Sequence, residues 1–189
     1  MKTPQFLQSI NRSMTSLKHV FAYSVLLCAA VVLTFAQGNG VSAGGKWTQM
    51  ETEDKMTGAK KVKFSLQADH PLEGDAQPEI AVFCVGGKWK LSDFRPNLRV
   101  ARPNRISFTG RPQTRVLVRV DNTHKKHNWN WVNGDFFSMD EDTTRQMLGS
   151  NIFKIEFQTD RGPQIAEFSP FGIDLGAVKQ ACGLKPQKP

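Results

Sequence analysis

The sequence predicts a mainly β fold with short helices, an antiparallel β-sandwich or barrel-like domain whose C-terminal helix is docked by a disulfide. Three observations predict it: apolar residues that recur at every second position, turn-forming Gly, Asn, Asp and Pro clusters between those runs, and the distant pair Cys84 and Cys182.

The chain of 189 residues opens with a segment unlike the rest. Residues 1 to 19 carry Lys2, Arg12 and Lys18 and no acid, and Val20 to Ala36 then run without a charge. A basic stretch followed by an apolar one is how a secretory signal reads. Val41-Ser42-Ala43 suits a signal peptidase, with Thr34-Phe35-Ala36 as the second choice. We therefore expect a signal peptide over 1–43, a single exported domain over 44–183 and a flexible tail over 184–189. An uncleaved anchor is the alternative, although a 17-residue apolar run sits at the lower limit for spanning a bilayer. The periplasm is the expected compartment, with the extracellular space as the alternative.

Export changes the meaning of the cysteines. Cys28 lies within the signal, which leaves Cys84 and Cys182. An even pair in an oxidising compartment is expected to bridge. Closing so long a loop stabilises the fold by about 4 to 5 kcal/mol in the chain-entropy account.

The strands follow in order. From Lys61 to Asp69 the alternation puts Val62, Phe64, Leu66 and Ala68 on one buried face, and His70 to Pro78 makes a polar loop. Ile80 to Val85 is apolar at nearly every position, which suits a central strand covered on both sides. Gly86-Gly87 turns it into Trp89-Lys90-Leu91 as a hairpin. Prolines 96, 103 and 112 mark Arg95 to Pro112 as a long loop that holds at most the short strand Arg105 to Phe108. Thr114 to Asp121 alternates again, with His127 to Val132 as its partner, and Asn151 to Thr159 and Gln164 to Ser169 are joined by an Asp160-Arg161-Gly162-Pro163 turn.

Two helices complete the pattern. Asp140 caps a helix ending at Leu148, with Glu141 and Asp142 against its positive end and Gly149 as its stop. Asp174 caps a second from Leu175 to Cys182, where Gly183 ends it. Leu175, Val178, Ala181 and Cys182 lie near one face, which docks on the sheet.

Charge is concentrated. Removing the signal leaves 22 basic residues against 17 acidic ones, and nine of the former lie between Arg95 and Lys126, where only Asp121 opposes them. Arg95, Arg99, Arg102, Arg105 and Arg111 are the candidate residues for an anionic group or partner, such as envelope phosphates, peptidoglycan carboxylates or an acidic protein patch. A solvated basic loop is the plainer alternative. An exported chain without a binding motif points away from nucleic acid, and the membrane is met only through the signal segment.

Catalysis finds little support. The domain's histidines are His70, His124 and His127, both cysteines read as structural, and no Gly-rich phosphate loop occurs. In His124-Lys125-Lys126-His127 the lysines repel a cation, so no metal and no cofactor is expected. Trp129 and Trp131 share a strand face that either packs in the core or stacks on a sugar ring, and they are the candidate stacking residues.

Several stretches taken together resemble the VasI family, also called TagO, of periplasmic accessory proteins encoded with type VI secretion systems. They are Asp54 to Val62, Pro78 to Cys84, Val118 to Asp121 ahead of the tryptophans, Met147 to Ser150, Ala166 to Phe168, and Leu175 to Gly183. Departures occur at Val85 to Trp89 after the first cysteine and at Gly183-Leu184 after the second. The resemblance implies a non-enzymatic binding protein whose partner is an envelope or secretion-system protein. A module for peptidoglycan or an anionic glycan is the alternative.

Overall fold

Eleven strands join in one antiparallel sheet in the computed structural model, which describes residues 40–187 except Asn104. Nearly all of the expected signal peptide, residues 1–39, lies outside the described residues. The strands are β1 (Val41–Ser42), β2 (Thr48–Glu53), β3 (Lys60–Gln67), β4 (Glu79–Val85), β5 (Lys88–Arg95) and β6 (Arg105–Ile106). They continue with β7 (Pro112–Val120), β8 (Thr123–Val132), β9 (Phe136–Met139), β10 (Phe153–Thr159) and β11 (Gly162–Phe168). The two α-helices among the described residues are α1 (Glu141–Leu148) and α2 (Leu175–Cys182). Strand order is β1-β2-β3-β4-β5-β9-β8-β7-β10-β11, with β6 paired to β7.

Alternation builds two apolar surfaces. Across β3, β4 and β5, Phe64 sits opposite Val82, Leu66 opposite Ile80, and Ile80 opposite Phe94. Across β7, β10 and β11, Val118 sits opposite Ile155, which sits opposite Ala166. All of these side chains are at most 2% exposed, so the two surfaces are one core. Phe94 of β5 meets Phe157 of β10 edge-on at 5.3 Å and Phe168 of β11 at 6.1 Å, which shows the sheet packed face to face on itself as in a sandwich. In β4, Ala81 is buried along with Ile80, Val82 and Cys84, as befits a strand covered on both sides.

Turn chemistry sets the registers. Val85 pairs with Lys88, and the two residues between them, Gly86 at φ 58° and Gly87 at φ 77°, have the positive values that a tight type I′ turn requires. Asp140 caps α1 by accepting the Thr143 N–H, and Asp174 caps α2 by accepting those of Gly176 and Ala177.

The boundaries differ from the expectation at both ends. Residues 184–187 are docked rather than flexible. Gly183 takes a left-handed turn at φ 66°, which sends Leu184 into the core at 1% exposure. Gln187 N–H then donates to the Arg145 carbonyl at 3.0 Å. At the other end the fold begins before Gly44. β1 pairs with β2, Ala43 is buried, its N–H donates to the Trp47 carbonyl at 2.9 Å, and its carbonyl accepts the Asp174 N–H at 2.7 Å. Gly44, at φ 90°, lies so close to the Gly172 carbonyl that a Cβ would stand 2.1 Å from it.

The expected Arg95 to Pro112 loop is shorter than its prolines suggest. Arg95 ends β5 and pairs with Glu79, while Pro112 opens β7 at a position paired only with the two-residue β6. An edge position tolerates the proline's missing N–H.

Candidate functional site

Cys84, in the middle of the sheet, and Cys182, at the end of α2, form a disulfide with Cα atoms 5.0 Å apart across a sequence separation of 98. Both are buried, and Val178 one turn earlier is buried with them. The bridge fixes the helix over β4 and β5, and it is the form that a cysteine pair takes in an oxidising compartment. No described helix is long and apolar enough to cross a membrane.

The five candidate arginines separate into two groups. Arg95 is engaged by its own protein. Its Nη2 donates to Asp93 Oδ2 at 2.9 Å, its Nη1 to Asp135 Oδ2 at 2.7 Å, and its guanidinium lies 5.0 Å from the Phe136 ring centre. Asp93 is 0% exposed, and burial pushes its carboxyl above the usual range while Arg95 opposes that shift. Removing Arg95 would leave a charge stranded in the interior, so Arg95 is a structural cation rather than a docking group.

Arg99 makes an exposed ion pair with Asp160 at 3.1 Å, the kind that solvent weakens and that leaves the cation available. Arg102, Arg105 and Arg111 are exposed and have no acidic partner among the described residues. Arg115 on β7 joins them: it is exposed, without an acidic partner among the described residues, on the sheet face that carries Leu117 and Arg119. Arg115 belongs to the basic run but sits in an alternating strand, so only the register shows that it extends the loop's surface.

A groove of about 430 Å³ lies beside this surface, lined in part by Arg102, Arg115, Lys126, Glu156 and Thr114. It opens where β7 and β10 part company. Their pairing ends at Leu117 and Glu156, after which residues 100–101 take over the edge of β10. Thr114, paired with Trp129 on the inner side of β7, has its hydroxyl buried without a hydrogen-bond partner among the described residues. The groove can hold a small polar or anionic group.

The tryptophans do share a face, and it is the inner one. Trp129 is 2% exposed, and its Nε1 donates to Asp140 Oδ2 at 3.1 Å. Trp131 is partly buried against Phe137, with ring centres 4.5 Å apart. Trp129 therefore has no face to offer a sugar ring. His127 accompanies it, with Nδ1 3.1 Å from the same Asp140 oxygen, whereas His124 is opposite the outward Arg119. Three positions apart in a strand, the two histidines lie on opposite faces and cannot hold one ion together. Among the described residues no three His, Cys, Asp or Glu side chains cluster at metal-binding distance.

Comparison with known proteins adds little to this geometry. No family model matches the chain, and no curated protein matches it. Among solved structures it is similar to invasion associated protein B from Bartonella henselae, at 12% identity and a TM-score of 0.42, over 69% of this chain and 88% of that one.

Proposed function

We propose that this chain is a non-enzymatic, exported accessory protein that binds an envelope component through its arginine-rich face. The periplasm is its compartment, and a secretion-system or other envelope protein is its partner class, in keeping with the resemblance to VasI and TagO proteins. The observation that carries the reading is the contrast within one basic run. Arg95 is held by Asp93 and Asp135, while Arg102, Arg105, Arg111 and Arg115 face solvent without acidic partners among the described residues. Unpaired surface cations of one sign attract anionic partners and steer their approach.

The basic and apolar order of residues 1 to 36 supports export, and the buried disulfide suits the compartment that export reaches. Capture from envelope extracts with the oxidised domain as bait tests the proposal. Recovery of a component by the wild type and its loss in Arg99→Glu/Arg102→Glu/Arg105→Glu supports it. Equal capture by the two removes this face from the account.

The groove favours one second reading, a module for peptidoglycan or another anionic glycan. Here Arg102, Arg115 and Lys126 would replace Trp129 and Trp131 as the contact groups. Sedimentation with purified cell wall, unaffected by an excess of envelope protein, would favour this reading over the first.

A further inference from the structure

The tip of the β6–β7 hairpin combines two features that a solvated basic loop does not need. Phe108 is fully exposed at 106% and Ile106 is 76% exposed, two positions apart where β6 enters its turn to β7. Arg105 and Arg111 flank them, and neither has an acidic partner among the described residues. No Asp or Glu occurs anywhere between Arg95 and Val120.

The tip is built rather than slack. Ser107 N–H donates to the Arg111 carbonyl at 2.7 Å, Gly110 N–H to the Ser107 carbonyl at 2.9 Å, and Arg111 N–H to Ser107 Oγ at 2.9 Å. Gly110 supplies the positive φ of 77° that closes the turn. The fold thus holds an aromatic ring and a branched aliphatic side chain out in water, where each is disfavoured.

We propose that this hairpin docks on the surface of an anionic bilayer, with Phe108 and Ile106 entering the headgroup boundary and Arg102, Arg105 and Arg111 on lipid phosphates. The proposal rests on the arginine-rich face being a binding surface, and it names an anionic lipid surface, in place of the protein partner class given above, as the envelope component that the face meets. A purely acidic protein patch would satisfy the arginines and leave Phe108 in water. A bilayer interface takes both, because apolar side chains partition into the acyl boundary while neighbouring cations meet the phosphates. The exposure agrees: Phe108 and Ile106 stand free in solvent, whereas the apolar residues of a protein-binding site usually lie among contacts that exclude water. The signal segment gives the chain a membrane contact before processing, and the hairpin gives the folded domain one afterwards.

Vesicle flotation tests this with the oxidised domain, phosphatidylglycerol-containing vesicles and pure phosphatidylcholine vesicles. The wild type should float with the anionic vesicles and stay behind with the neutral ones. Ile106→Ser/Phe108→Ser should lose flotation, although both side chains are solvent-exposed and circular dichroism should show the fold unchanged. Each of Arg105→Gln and Arg111→Gln should weaken partitioning on the order of fivefold. Phe108→Trp should show indole emission quenched by brominated lipid.

No flotation of the wild type, or flotation retained by Ile106→Ser/Phe108→Ser, overturns the hairpin proposal. If envelope capture still falls in the triple glutamate variant, the arginine face then stands as a protein-binding surface. If both assays fail, the face itself is lost from the account.

Discussion

The indole Nε1 of Trp129 donates to Asp140 Oδ2 at 3.1 Å while Oδ1 of the same carboxylate accepts the Thr143 N–H at 2.7 Å. One side chain therefore caps α1 and ties it to β8. Asp140→Ala removes the cap and leaves a buried indole N–H unsatisfied. A lost cap costs about 1 to 2 kcal/mol, and an orphaned buried donor adds about 1 to 3 kcal/mol. Urea denaturation of the oxidised domain checks the sum, with Asp140→Asn expected to recover part of it.

The same carboxylate should make stability pH-dependent. Burial pushes the Asp140 carboxyl up, but the Thr143 N–H and hydroxyl, the Trp129 indole and the charge of His127 outweigh burial and hold it below the usual value. A folded value below the unfolded one, about 3.9 for Asp, gives stability that is present above that pH and is lost as pH falls through the folded value. Denaturation midpoints should therefore drop below about pH 4, and Asp140→Asn should drop less steeply.

The Cys84 to Cys182 bridge closes a separation of 98 residues. Cys84→Ala/Cys182→Ala should lower stability by up to about 5 kcal/mol by freeing the unfolded chain. Denaturant unfolding with and without reductant measures the loss, and reductant should leave the double variant unchanged.

Leu184 belongs to the core, so Leu184→Ala should cost about 2 to 4 kcal/mol. Thermal melting of the variant beside the wild type measures the loss.

The pairing of β1 and the burial of Ala43 bear on processing. Cleavage after Ala43 would remove β1 and the buried Ala43 and make Gly44 the charged terminus, whereas cleavage after Ala36 keeps β1 and Ala43. We expect the mature chain to start at Gln37, which amino-terminal sequencing of exported protein would read directly.

Elements governed by local chemistry were legible in the sequence. β3 and β7 alternate cleanly, α1 and α2 carry Asp caps, and Gly86-Gly87 is a turn in any context. β2, Thr-Gln-Met-Glu-Thr-Glu, was not, because it is exposed along nearly its whole length and forms only by pairing with β3. β9 is four residues long and likewise owes its place to β5 and β8. The site divides in the same way. The basic run is plain in the sequence, but Asp135, which holds Arg95, lies 40 residues from that arginine. Only the fold brings them together.

The central claim is that the exposed arginines, and not Arg95, form the binding surface. Co-sedimentation with isolated envelopes, run beside thermal melting, tests it with two variants. The account predicts that Arg102→Glu/Arg105→Glu/Arg111→Glu stays in the supernatant and melts like the wild type, while Arg95→Ala sediments but melts lower. A triple variant that sediments as the wild type does would contradict it.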